Sequence, residues 1–95
     1  ATGGSSIIDL ANDITTINVY PNPAKNTITI DLGNNDLQNA SIQLINVLGE
    51  VIINQPVILQ KNSIDLSNYP SGNYLMKYSN NKGCKTLKVI KEGAF

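Results

Sequence analysis

The residues with the most chemical reach in this 95-residue chain are one thiol, Cys84, and seven carboxylates. A thiolate nucleophile needs a neighbouring base or cation. Lys82 and Lys85 lie close to Cys84, but the chain has no His to take the proton, so a Cys/His pair cannot be built. Imidazole bases and His-ligated metal sites are excluded for the same reason, and a single Cys excludes an internal disulfide. Cys84 therefore reads as a residue starting a strand beside a hairpin, able at most to pair with another molecule's thiol. The carboxylates are Asp9, Asp13, Asp31, Asp36, Asp65, Glu50 and Glu92. Glycoside hydrolysis needs two of them facing across a cleft, yet most fall at expected turns or solvent faces. Residues 33–39 are rich in oxygen ligands and could hold Ca²⁺ weakly, but the calcium-loop pattern is missing and turn propensity already explains them. The expectation is no catalytic residue, no metal and no cofactor: not an enzyme.

Ring faces are the next candidates, because aromatic platforms stack on sugars. Tyr74 and Tyr78 alternate with Met76, which is the pattern of a core face. Tyr20 and Tyr69 stand beside prolines and are expected to pack turn corners. Asn39-Ala40-Ser41 matches a glycosylation sequon, a chance event in a chain with 14 Asn. Seven Lys balance the seven acids, and there is no Arg. No overall basic field exists for nucleic acid or an anionic membrane. No apolar run approaches the ~18–20 residues of a membrane span. Charge is nonetheless uneven: Lys82, Lys85, Lys88 and Lys91 fall near the end, opposed only by Glu92. Lys on an edge strand guards against aggregation; the functional alternative is a terminal recognition strand.

The elements that position these groups are short strands. Residues 1–14 read as a linker or vector remnant ahead of a domain over 15–91, with a tail over 92–95. The absence of a charged leader before an apolar segment suggests a mature product or a piece of a longer protein. Strands are expected over 15–20, 26–32, 41–47, 51–54, 62–66, 73–79 and 84–91. Ile28, Ile30 and Leu32 share one face of the second. Pro56 interrupts, leaving 57–59 as a bulged continuation or an edge piece. Turns fall at Pro21-Asn22-Pro23, at 33–36, at Leu48-Gly49-Glu50, at Asn68-Tyr69-Pro70-Ser71-Gly72 and at Asn80-Asn81-Lys82-Gly83. Seven strands without a helical period predict an all-β fold, a seven-stranded antiparallel immunoglobulin-like β-sandwich, with a small barrel as the alternative.

Four segments in order carry a family resemblance. Val19-Tyr20-Pro21-Asn22-Pro23-Ala24, followed by Thr27-Ile28-Thr29-Ile30, resembles the opening signature of the C-terminal sorting domain (type A) of type IX, or Por, secretion cargo proteins. Residues 41–51, with Gly49 before the second strand, are similar to its middle hairpin. Ile64-Asp65-Leu66-Ser67-Asn68-Tyr69-Pro70-Ser71-Gly72-Asn73-Tyr74 resembles its second signature, and Lys85-Thr86-Leu87-Lys88-Val89-Ile90-Lys91 its basic, apolar last strand. Cys84 and the extension Glu92-Gly93-Ala94-Phe95 depart from the family pattern.

The resemblance implies a secretion signal of Bacteroidetes-type bacteria. A passenger fused in front crosses the inner membrane by an ordinary signal peptide and transits the periplasm. The outer-membrane type IX machinery then recognises the sorting domain, and a sortase-like peptidase releases it upstream of Val19. The passenger ends at the cell surface or outside the cell. The implied sorting-signal residues are Pro21, Asn22, Pro23, Gly72, Tyr74, Lys88 and Lys91. Residues 87–91 are expected to form an uncovered docking strand, with Lys88 and Lys91 as charge handles and Gly72 and Tyr74 holding the neighbouring strand. The competing expectation is an accessory carbohydrate- or protein-binding module, which would expose Tyr20 and Tyr69 on one surface.

Overall fold

The computed structural model describes residues 14–92. Seven antiparallel strands form there: β1 (Asn18–Tyr20), β2 (Thr27–Asp31), β3 (Ser41–Ile45), β4 (Val51–Pro56), β5 (Lys61–Asp65), β6 (Gly72–Asn80) and β7 (Gly83–Lys91). They divide into a three-stranded sheet, β1-β2-β5, and a four-stranded sheet, β4-β3-β6-β7. Two separate sheets give the immunoglobulin-like sandwich rather than a closed barrel. Residues 1–13 of the linker expected over 1–14, and the last three residues of the tail expected over 92–95, lie outside the described residues.

Alternation builds the core. Ile28 and Ile30 of β2, with Leu32 beyond it, are fully buried on one sheet. Ile42 and Leu44 of β3 and Met76 and Tyr78 of β6 are fully buried on the other. Cross-strand partners point to the same side of a sheet. Leu44 faces Met76, Ile42 faces Tyr78, and Tyr74 faces Val89. The tyrosines that share a face with Met76 are thus core residues, as their spacing predicts. Tyr78 can be buried because its hydroxyl donates to the Asp36 carbonyl at 2.6 Å.

The departures from expectation have local causes. The first strand is shorter than 15–20 because the Asn35 side chain takes the backbone of Thr15 out of any ladder. Its Oδ1 accepts from the Thr15 N–H at 2.8 Å and its Nδ2 donates to the Thr15 carbonyl at 3.3 Å. β4 runs through Pro56, which pairs with Ser41. Proline is tolerated there because β4 is an edge strand. Residues 57–59 are neither a bulge nor a strand but the start of the crossing to the other sheet. Val57 anchors that crossing, buried, with its N–H on the Ala40 carbonyl at 3.0 Å. The register shift falls instead between Leu44 and Ile45.

Candidate functional site

The antiparallel order brings three connections to one end of the sandwich: 21–26 between β1 and β2, 46–50 between β3 and β4, and 66–71 between β5 and β6. β7 ends at the same pole, where Lys91 pairs with Gly72. All four segments that carry the resemblance therefore meet in space.

Each connection is closed by its own side chains. In the β3–β4 turn, Asn46 Oδ1 accepts from the N–H groups of Leu48 and Glu50 at 2.9 and 3.0 Å, and its Nδ2 donates to Glu50 Oε1 at 2.9 Å. Gly49 sits at φ +85°, a region L side chains rarely adopt. The hairpin tip leaves Val47 and Leu48 exposed. In the β5–β6 turn, Asp65 Oδ1 accepts from the Ser67 N–H at 2.9 Å and the Ser67 hydroxyl at 2.6 Å. The Ser67 hydroxyl, then its N–H, and to a lesser degree Lys91 hold the Asp65 carboxyl below its ordinary range. Tyr74 donates its hydroxyl to the Pro70 carbonyl, which pins the turn to β6. Burial, then the neighbouring Tyr69, pushes the Tyr74 hydroxyl pKa up. Gly72, at φ +151°, starts the strand from a backbone conformation that suits glycine. The turns at 46–48 and 69–73 line the two sides of one shallow cleft.

The Pro21-Asn22-Pro23 turn has a role that spacing alone does not reveal. It lies against the outer edge of β7. Asn22 Nδ2 donates to the Lys88 carbonyl at 2.9 Å, and Asn22 Oδ1 accepts from the Ile90 N–H at 3.0 Å. The amide of one side chain thus satisfies the strand edge as a neighbouring strand would. Ala24 continues the seal with its backbone: its N–H donates to the Ile90 carbonyl at 2.7 Å and its carbonyl accepts from Glu92 N–H at 2.8 Å. Ala24 itself is fully buried. Both Tyr20–Pro21 and Asn22–Pro23 peptides are cis.

This corrects the expected docking strand. Residues 87–91 do not present an open edge, because Asn22 and Ala24 occupy its outward groups from the Lys88 carbonyl onward. Lys91 is not a free charge handle either. It is 3% exposed, and its Nζ donates to the Tyr69 carbonyl at 2.5 Å, so it ties β7 to the β5–β6 turn. Its strand parity with Val89 already turned it inward. Lys88, on the opposite parity, is exposed as expected, and so is Cys84. Pro21, Asn22, Pro23 and Gly72 are exposed, and Tyr74 is buried.

The other candidates weighed from the sequence are the oxygen-rich stretch and the exposed rings. In the oxygen-rich stretch 33–39, Asn35 is turned inward and bonded, and Asp36 Oδ1 accepts from the Gln38 N–H at 2.9 Å. Among the described residues no three Cys, Asp or Glu gather where a metal could sit. Tyr69 packs against the core while Tyr20 is exposed, so the described residues offer no pair of exposed rings for a sugar. Two residues that spacing did not single out, Asn35 and Asn46, organise loops; an Asn that bonds its own chain two residues on is the signal for Asn46.

The chain is thus a small antiparallel β-sandwich with its signature turns gathered on one pole. The family model of the secretion-system C-terminal sorting domain matches residues 18–92, and the chain belongs to that family. It is the C-terminal sorting signal of type IX secretion cargo, an address for export to the cell surface or the extracellular space, and its counterpart is the type IX machinery. No curated protein matches the chain in sequence. Its fold is similar to part of PorZ, an essential bacterial surface component of the type IX secretion system of Porphyromonas gingivalis, with a TM-score of 0.70 at 16% identity. The match covers 98% of this chain and 13% of PorZ, and at that identity the likeness is one of fold.

Proposed function

We propose that the outer-membrane type IX machinery reads the folded pole formed by the Pro21-Asn22-Pro23 turn, the β5–β6 turn and β7. The observation that carries this reading is the convergence of all four family segments on one end, joined by the Asn22, Ala24, Tyr74 and Lys91 hydrogen bonds. A surface made from segments 22 to 91 exists only in the folded chain, so the signal is conformational. The passenger fused ahead of the domain reaches the periplasm by its own signal peptide and is carried outward with it. A sortase-like peptidase then cuts upstream of Val19, where the chain precedes the sandwich. In this scheme the domain is address and substrate, not catalyst.

The test is a reporter fused to the chain in a type IX-competent bacterium, with and without residues 87–95. The intact fusion is expected outside the cell, and the truncated fusion, which loses the partners of Asn22 and Tyr69, is expected to stay in the periplasm. Equal secretion of both would overturn the reading. Mass spectrometry of the released reporter is expected to show a new C-terminus upstream of Val19.

A further inference from the structure

β7 is an edge strand whose outward backbone groups fall into two halves. The alternation set by its pairing with β6 turns the backbone of Cys84, Thr86, Lys88 and Ile90 outward. From the Lys88 carbonyl onward these groups are occupied by Asn22 and Ala24. Among the described residues, the N–H and C=O of Cys84 and Thr86 and the N–H of Lys88 have no hydrogen-bond partner. The open part of the edge is thus residues 84–88, about 17 Å of strand at ~3.3 Å per residue.

Charge says what fits it. Residues 72–91 hold five lysines and no carboxylate. Lys91 is turned inward, but Lys82, in the turn before β7, and Lys85 and Lys88, on opposite faces of the open stretch, are exposed. A second copy of the chain pairing here would gather Lys82, Lys85 and Lys88 of both copies around one short seam, and like charges across a strand pair repel. An extended segment carrying carboxylates meets the same edge with complementary charge.

We propose that residues 84–88 accept an acidic extended segment of the type IX machinery as an added antiparallel strand. This rests on the reading that the machinery binds the folded domain. The register specifies the pattern. Opposite Lys88, on the outer face, stands an acid; opposite Leu87, half-buried on the inner face, an apolar residue; opposite Thr86 any residue; opposite Lys85 an acid. Read in the partner's own direction, the segment is acid, apolar, any, acid. Asn22 sets where the added strand stops, because the groups beyond the Lys88 N–H are already filled.

The first test titrates the 95-residue chain with the peptide Thr-Val-Thr-Glu-Val-Thr-Glu-Val-Thr, followed by amide NMR. Saturable shifts and new exchange protection are expected at Cys84, Thr86 and Lys88, with none at Ile90, and the peptide with both Glu changed to Lys is expected not to bind. Thr86→Pro removes one outward N–H without touching the ladder to β6 and should weaken binding at least about fivefold. The double variant Lys85→Glu/Lys88→Glu should weaken it about tenfold at low salt, and carries the test if Thr86→Pro unfolds. Absence of saturable amide shifts overturns the proposal. Equal shifts from dextran sulfate, or concentration-dependent self-association protecting the same amides, also overturn it. In cells, an unsecreted wild-type fusion overturns the sorting reading itself. A secreted wild type with equally secreted Thr86→Pro and double-Glu fusions overturns the strand addition alone.

Discussion

Replacing Asn22 by Ala isolates the contact on which the pole depends. The substitution removes the bond from Nδ2 to the Lys88 carbonyl and the bond from the Ile90 N–H to Oδ1, at 2.9 and 3.0 Å. Both lie at the surface, where water replaces the lost partner, so each is worth about 0.5–1 kcal/mol. The total cost is about 1–2 kcal/mol, which for a domain of this size lowers Tm by roughly 4–16 °C. Calorimetry measures that sum, but hydrogen exchange tests the geometry. Ile90 amide protection should fall at least about tenfold through local opening, while Val89 and Lys91, whose N–H groups face β6, keep theirs. Asn22→Asp keeps an acceptor for Ile90 and loses the donor to Lys88, so it should retain Ile90 protection with about half the Tm loss. Unchanged Ile90 protection in Asn22→Ala would refute the claim that this side chain covers the edge.

Three further outcomes follow from the interior and the turns. Asn35→Ala removes a side chain that is 5% exposed and bonds Thr15 and Leu32, and should cost about 2–3 kcal/mol in denaturant unfolding, with Thr15 amide protection lost. Tyr78→Phe should cost only about 1 kcal/mol, because the Asp36 carbonyl keeps its second donor, Asn80 Nδ2 at 2.8 Å; Met76→Ala, which opens a cavity, should cost about 2–5 kcal/mol. A larger loss from Tyr78→Phe than from Met76→Ala would contradict that ordering. Asp65, held below its ordinary value of 3.8, favours the folded state above that pH, and the benefit disappears as pH falls through its own lower pKa. Ser67→Ala should therefore move the Asp65 titration upward by NMR, and an unmoved titration would count against the Ser67 bonds as its cause.

The strands were legible where the period was. Ile28, Ile30 and Leu32, and likewise Tyr74, Met76 and Tyr78, alternate so regularly that both face and burial follow from spacing. The turns were legible through Gly, Pro and Asn, although the end of β4 was not, because Pro56 is acceptable only on an edge strand. The site was half-legible. Its segments were recognisable, and the parity of Lys91 with Val89 was readable, but not that a neighbouring turn would close over that end of β7. The Asn22 contacts join residues 66 and 68 positions apart, a separation no local pattern encodes. The edge expected to be uncovered over 87–91 is thus closed from the Lys88 carbonyl onward, and its open part is 84–88.

The most direct measurement is the fate of a reporter fused to this chain in paired type IX-competent and type IX-deficient strains. Reporter outside the competent cells and in the periplasm of the deficient ones is the expected result. Periplasmic retention in both, with the domain folded, would contradict the assignment of this chain as a sorting signal.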